Sequence, residues 1–299
     1  MARILQKYKQ RFAQSRFTRD VASVSMGIAA AQLITLASTP ILTRLYGPEA
    51  FGVLGTFTAA LTLINPLATL SYTNAIVLPE QDEVALALVR LSLFLAFVTS
   101  MLAGIAVGLF GPAIASLMGL TSQPGLIYFI PFTLFMSGLF ASATQLAIRR
   151  GLFRQKSKAY VESTFAVNLI KMGGGLVHPS GITLVAIFSI TSGINTVMLM
   201  ARMRKLEALR VGRWMGLDGI ADAARRYVEF PAYRLPQGFL NSLSMNLPVL
   251  MFASVYGPKI IGYYTLAMLA LAAPVMLIGE SVGQGFYKKI SRAISDGQS

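Results

Sequence analysis

The chain has 299 residues, of which 55% are hydrophobic and only 13% charged, and its formal net charge is +14. Soluble domains usually carry about a quarter charged residues, so this composition excludes an ordinary soluble protein. The chain has no cysteine and a single histidine, His178. These counts exclude disulfides, thiol nucleophiles and a metal centre built on cysteine or on several histidines. We therefore predict neither a metal nor another cofactor.

The first 20 residues form a basic segment before the first apolar run. Ile4, Tyr8 and Phe12 recur every fourth residue among six Lys and Arg residues, and on a helix they would share one face. A helix lying on an anionic membrane surface explains this pattern, and so does a solvated basic tail. The sequence leaves both interpretations open.

Eight apolar segments follow, each close to the roughly 20 residues that a helix needs to cross a bilayer. They lie at Val21–Leu42, Phe51–Tyr72, Leu86–Phe110, Leu126–Ile148, Ala159–Val177, Gly181–Ala201, Leu235–Tyr256 and Ile260–Gly279. The fifth is the weakest, because Lys171 and three consecutive glycines at 173–175 interrupt it. The glycines indicate either close packing or a break in the helix. The sequence thus predicts an all-α polytopic membrane protein with about eight transmembrane helices.

The positions of Lys and Arg test this count, because cytosolic loops of membrane proteins are enriched in both. With a cytosolic amino terminus, 22 of the 24 Lys and Arg residues outside the spans fall on the cytosolic side, and only Arg44 and Lys259 fall on the other. The pattern predicts cytoplasmic amino and carboxyl termini. It also explains the net charge without a nucleic-acid partner.

One loop sequence occurs twice. Tyr-Gly-Pro-x-x-x-Gly begins at Tyr46, between the first two spans, and again at Tyr256, between the last two. Each copy is typical of a tight outer hairpin, in which glycine ends one helix with a left-handed backbone and proline opens the next. The tyrosines fit the aromatic belt of a membrane interface. Gly52 and Gly262 would allow helices to approach closely.

Because six spans separate the two copies, they share one orientation, and the sequence predicts a parallel internal repeat. The predicted parts are a basic amphipathic segment at 1–20, a first six-helix bundle at 21–201, a basic cytosolic linker at 202–234, the first two helices of a second bundle at 235–286 and a cytosolic tail at 287–299. Two complete bundles would need about 420 residues, twice the repeat distance. We therefore expect the chain to be truncated after its eighth helix.

Three stretches resemble the bacterial polysaccharide-biosynthesis flippases, which translocate lipid-linked oligosaccharides and belong to the multidrug/oligosaccharidyl-lipid/polysaccharide exporter superfamily. They are 38-STPILTRLYGPEAFGVLGTF-57, similar to the family's first hairpin, 147-AIRRGLFRQKSKAY-160, similar to its basic connection after helix four, and 229-EFPAYRLPQGFLNSLSMNLPVLMFASVYGPKIIGYYTLA-267, similar to its seventh and eighth helices. The resemblance implies twelve helices in two bundles around a central cavity. It also implies a bacterial inner-membrane location and transport without bond chemistry, so that the chain would not be an enzyme.

Charged groups inside a membrane are the default functional candidates, because burying them without partners costs several kcal/mol. Lys171 lies in the fifth span beside Asn168, and its ammonium group would meet the pyrophosphate of a lipid-linked sugar as a point charge. A lysine that snorkels to the outer interface is the competing interpretation. Arg44, at the outer end of the first span, is a second candidate for the same anion or else an interfacial anchor.

Polar and acidic side chains complete the candidate set. Asn65, Asn168 and Gln32 are predicted to line a hydrophilic cavity and bind sugar hydroxyls, or to bond neighbouring helices. Glu162 and Glu280, near cytosolic helix ends, are weak candidates for binding a coupling cation or proton. Solvated helix termini are the plainer interpretation of these two glutamates.

The leading hypothesis is flipping of a polyprenyl-pyrophosphate-linked oligosaccharide by alternating access, for O-antigen, capsule or exopolysaccharide. The predicted partners are the lipid bilayer, that lipid-linked oligosaccharide, and a polysaccharide polymerase or glycosyltransferases. One alternative is a cation-coupled multidrug exporter of the same superfamily, although no Asp or Glu lies between Asp20 and Glu49 or between Glu49 and Glu80. The other is a non-transporting or truncated membrane component of a polysaccharide assembly complex.

Overall fold

The computed structural model describes residues 2–118, 120, 123–204 and 219–271, and every regular element within them is helical. The main helices are α1 (Ala2–Ile64), α2 (Asp82–Leu117), α3 (Phe129–Arg149), α4 (Phe153–Val177), α5 (Gly181–Arg204), α6 (Ile220–Arg226), α7 (Leu235–Tyr256) and α8 (258–271). Shorter elements are the 3-10 turns Asn65–Leu67, Tyr72–Val77 and Pro124–Tyr128 and a π-helical turn at Phe230–Arg234. The all-α prediction is confirmed.

Five stretches of the described residues are long and apolar enough to cross a membrane. They are Val24–Leu67, Asp82–Leu117, Pro124–Arg149, Gly181–Arg204 and Phe230–Tyr256. These stretches contain four of the eight predicted spans in full, and the first stretch includes most of two more. α4, which corresponds to the fifth span, is not among them, and the eighth span extends beyond the described residues. The polytopic membrane fold is confirmed, and the number eight stays a prediction.

A break at Gly47 divides α1 into a first arm, residues 2–46, and a second arm, residues 48–64. Gly47 has φ 70° and ψ 170°, a backbone conformation that a side chain would strain. Gly257 separates α7 from α8 and has nearly the same angles, φ 75° and ψ 173°. The proline that follows each glycine begins the next helix, where its missing N–H costs nothing. The two copies of the repeated loop therefore share one backbone conformation.

The second arm ends earlier than predicted. Its α-helix stops at Ile64, and the chain continues through two 3-10 turns to Val77. Pro66 explains the stop, because proline has no N–H to donate and its ring clashes with the preceding helical turn. Leu70 and Ser71 have positive φ angles of 47° and 62°, which are uncommon outside glycine. The inner part of the second predicted span is thus irregular rather than α-helical.

Arg149 joins two of the predicted cytosolic loops. It lies at the end of α3, and its guanidinium group donates to the carbonyl oxygens of Pro79 and Glu80 and pairs with Asp82 at 3.0 Å. The Arg149 side chain is only 11% exposed. Residues 79–82 and the connection after α3 therefore lie at the same end of the bundle.

Two further contacts bring the linker to this end. Arg202, near the end of α5, forms an ion pair with Glu162 in α4. The Tyr72 hydroxyl donates to the carbonyl oxygen of Ala224 in α6 at 3.0 Å, and α6 packs on the beginning of α2. The described parts of segments 149–158 and 202–234 thus share one end of the molecule, as the charge pattern predicts. We call it the inner end and the opposite end the outer end.

We call helices α1 to α5 the first repeat and helices α7 and α8 the second repeat. The helices of the first repeat pack through small residues. The first arm of α1 runs parallel to α4, with Gly27 against Ser157 near the inner end and Tyr46 against Gly175 near the outer end. α2 packs on α3, and α5 packs on both α3 and α4. Gly181, which begins α5, contacts Val53 of the second arm at the outer end. This arrangement holds the repeated loop of residues 46–52 firmly within the first repeat.

Candidate functional site

The two copies of the repeated loop cross each other at the outer end. A β-carbon on Gly52 would overlap the carbonyl oxygen of Pro258, and a β-carbon on Gly262 would overlap the carbonyl oxygen of Pro48. Both glycines are buried. The two helix beginnings are therefore in direct backbone contact, at a distance that glycine alone allows.

The two copies also contact each other along the helices that flank each loop. Leu266 of α8 packs against the apolar cluster that includes Leu42 and Phe51 of α1. Leu250 of α7 packs against the apolar cluster that includes Phe57 of the second arm. Each copy of the repeat thus covers the other copy, as expected for two hairpins related by an approximate two-fold axis. This crossing is the part of the molecule where the first repeat meets the second.

Tyr46 ties the crossing to α4. It is only 6% exposed, and its hydroxyl donates to the backbone carbonyl oxygen of Lys171 at 2.7 Å. Its ring lies against Gly175, where a β-carbon would fall 2.8 Å from the ring. α4 is continuous across residues 173–175, so the glycines do not break the helix, and Gly174 and Gly175 serve close packing. Tyr46 does not fit the predicted interfacial belt, because packing on the glycines buries it, whereas Tyr256 is 57% exposed.

The sequence also matches a known protein family. The model of a family described as polysaccharide biosynthesis protein matches residues 41–299 and so covers both copies of the repeated loop. The chain belongs to this family. No curated protein and no solved structure matches the chain.

In this polysaccharide biosynthesis protein the two predicted cations lie near the crossing. Lys171 is half-buried on α4, and its backbone is held by Tyr46. Arg44 is exposed, two residues before Tyr46 on α1. Among the described residues, no ion pair neutralises either side chain. Both candidate cations therefore lie close to the crossing, on neighbouring helices of the first repeat.

The predicted polar residues are distributed along the bundle and do not converge on one point. Asn168 is buried, and its amide donates to the carbonyl oxygen of Thr164 within α4 at 2.8 Å. Asn65 is exposed at the end of the second arm and accepts a hydrogen bond from the Ser137 hydroxyl at 2.7 Å. Gln32 is half-buried on the first arm. Of these three, Asn65 joins two helices of the first repeat.

The structure describes only one of the two predicted acidic candidates, Glu162. Glu162 is paired with Arg202, whose Nε lies 3.1 Å from the carboxylate. This pair joins α4 to α5 at the inner end and gives the carboxylate a structural partner. Glu280 lies outside the described residues.

Three features of the inner end were not predicted from the sequence. Arg149 is the centre of the bonds to residues 79–82. Lys156, which precedes the fifth predicted span, is half-buried, and burial lowers the pKa of its ammonium group. A cavity of about 430 Å³ between α2 and α6 is lined by both signs of charge, including Arg90 and Asp222. The basic run at 149–158 signalled positive charge here, but no local pattern showed which of its side chains are buried.

Proposed function

We propose that this polysaccharide biosynthesis protein flips a polyprenyl-pyrophosphate-linked oligosaccharide across the bacterial inner membrane by alternating access. The observation that carries the proposal is the reciprocal crossing of the two repeated loops at the outer end. Family membership supports the polysaccharide context. No bond is made or broken in such a step, so the proposed activity is transport rather than enzymatic catalysis.

The crossing is suited to act as a closure of the outer end that opens during transport. Backbone meets backbone at Gly52 and Gly262, so at these two positions the repeats can separate without moving a side chain. Separation also removes Leu250 and Leu266 from their apolar contacts with the first repeat. Rigid-body rocking of one repeat against the other is the usual motion of transporters built from repeats. In the proposed cycle, contact at the crossing closes the outer end while the substrate enters from the inner side.

Electrostatics supply the attraction for the head group. A pyrophosphate carries negative charge, and a lysine ammonium group binds it as a compact point charge. Lys171 lies on α4 next to the crossing, and Arg44 lies on the neighbouring arm of α1. We propose that Lys171 attracts the pyrophosphate as the outer end opens, and that Arg44 assists at the membrane interface. Gln32, Asn65 and Asn168 are the proposed contacts for the glycan.

The test compares two lysines of the same helix. Lys171→Ala is expected to lower the translocation rate of a fluorescent lipid-linked oligosaccharide in proteoliposomes at least tenfold, because it removes the charge beside the crossing. Lys158→Ala removes an exposed lysine near the inner end of α4 and should leave the rate unchanged. A Lys171→Ala protein that transports at the wild-type rate would contradict the assigned role of Lys171. A wild-type protein that does not translocate the lipid at all would instead favour a non-transporting component.

A further inference from the structure

A long apolar groove lies on the first repeat and reaches α7 at Leu250. Its walls are the second arm of α1, α2, α3 and α7, which contributes Leu250, and its volume is about 610 Å³. Along α2 the lining extends from Thr99 to Leu117, a distance of about 27 Å at 1.5 Å per residue. The groove is therefore nearly as long as the hydrocarbon layer of a bilayer is thick, about 30 Å.

The dimensions limit what can occupy this groove. A volume of about 610 Å³ for the centres of water-sized molecules, spread over about 27 Å, is about 5 Å across, and adding a water radius of about 1.4 Å on each side makes the channel about 8 Å wide. An α-helix with its side chains is about 10–12 Å wide, so the groove is too narrow for a further helix. A single hydrocarbon chain, whose carbons pack about 4 Å from their neighbours, fits this width.

The lining excludes a polar occupant. Among the described residues that line the groove, Thr99 alone has a polar side chain. Its hydroxyl is already engaged, because it lies 2.9 Å from the carbonyl oxygen of Ala68 and 2.8 Å from that of Leu95. A sugar or phosphate placed here would lose its hydrogen bonds to water and gain none.

Polar atoms border the groove on one side. Ile64 and Leu134 line it, and beside them the Asn65 side chain accepts the hydrogen bond from Ser137. Because the second arm stops being α-helical at Ile64, the irregular segment after it contributes Leu67 to the same wall. A lipid with its tail in the groove would thus have polar partners for its head at this border.

We propose that the groove holds the polyisoprenoid chain of the lipid-linked substrate while its head group crosses the membrane. The inference rests on the proposed function, which supplies a polyisoprenoid lipid. The length, width and apolar lining of the groove are the reasons for placing the polyisoprenoid chain there. Because Leu250 of α7 completes a lining that otherwise belongs to the first repeat, the chain would lie beside the contact between α7 and the first repeat.

The test measures whether binding depends on chain length. Purified full-length protein in detergent is titrated with a C55 polyprenyl phosphate and with a C10 prenyl phosphate that has the same head group. The wild type is expected to bind the C55 compound at least tenfold more tightly. Ala103→Phe and Ala106→Phe, which fill the groove from α2, should remove this preference while leaving C10 binding unchanged. Ala113→Phe, at an exposed position of α2 outside the groove, is the matched control and should retain it.

Two results would overturn the inference, and a third would concern only the proposed function. A C55 preference that survives in both groove-filling variants, each shown to be folded by its thermal unfolding curve, would overturn the inference. Equal displacement of the C55 compound by phosphatidylglycerol would overturn it too, because the groove would then hold bulk lipid. Failure of the proposed function is distinguishable, since it appears as absent translocation in proteoliposomes by a wild-type protein whose C55 preference is normal.

Discussion

Glycine residues determine how closely the two repeats approach. Gly47 and Gly257 supply the positive φ that each loop requires. Gly52 and Gly262 have a different role, because each faces a backbone carbonyl of the other copy. A carbonyl cannot rotate away as a flexible side chain can, so a methyl group at either position must push the helices apart.

Replacing Gly262 with alanine tests this role. Gly262→Ala should lower the free energy of unfolding by about 1–3 kcal/mol, the usual cost of adding a methyl group to a tightly packed site. The measurement is thermal unfolding in detergent. Gly173→Ala is the control, because a β-carbon there meets open space and alanine favours a helix more than glycine does. Equal unfolding temperatures for Gly262→Ala and the wild type would refute backbone contact at the crossing.

Tyr46 shows what the sequence could and could not predict at this scale. The local pattern correctly predicted a glycine–proline loop, because its backbone needs are set by adjacent residues. The burial of Tyr46 depends on α4, more than a hundred residues later, whose glycines receive the ring. The same limit applies to Glu162, since only the fold brings it to Arg202.

At the scale of helices, hydrophobic periods and proline positions predicted most of the elements. All predicted spans that fall within the described residues lie on helices, apart from the inner end of the second span. There Pro66 stops the α-helix. Hydrogen bonds from side chains of neighbouring helices stabilise the irregular segment, and one example is the bond from the Thr99 hydroxyl to the carbonyl oxygen of Ala68. The sequence showed the proline but not the partners that let the backbone leave the helix. Likewise, the linker's basic composition did not reveal that α6 docks on α2.

Arg149 provides the prediction at this scale. Arg149→Met should lower the free energy of unfolding by about 1–3 kcal/mol and expose residues 79–82 to protease, because two backbone carbonyls lose their donor. The exposed ion pair with Asp82 adds little to this cost. Arg150→Met is the control, since Arg150 is 38% exposed and its contact with Asp82 is 3.7 Å long. Equal protease sensitivity of the two variants would show that Arg149 does not hold this loop.

At the scale of the whole molecule, two hairpins of one sequence pattern meet as a reciprocal pair. The sequence predicted the parallel repeat from the spacing of its two copies. It did not predict that the copies contact each other, because nothing in a local pattern specifies its partner. The contact gives the repeats a shared surface at the outer end, next to Lys171. If this surface is the closure that opens during transport, the two repeats must separate at the crossing in every cycle.

Disulfide trapping across the crossing tests that claim most directly. The chain has no cysteine, and a β-carbon at Gly55 would lie 3.3 Å from that of Thr265, near the separation of about 3.5–4.5 Å in disulfides. A Gly55→Cys/Thr265→Cys variant should form a disulfide on mild oxidation, lose translocation in proteoliposomes, and regain it on reduction. Gly108→Cys/Thr265→Cys is the control pair and should not cross-link. A cross-linked protein that still transports at the wild-type rate would contradict the account, because the outer crossing would then not need to open.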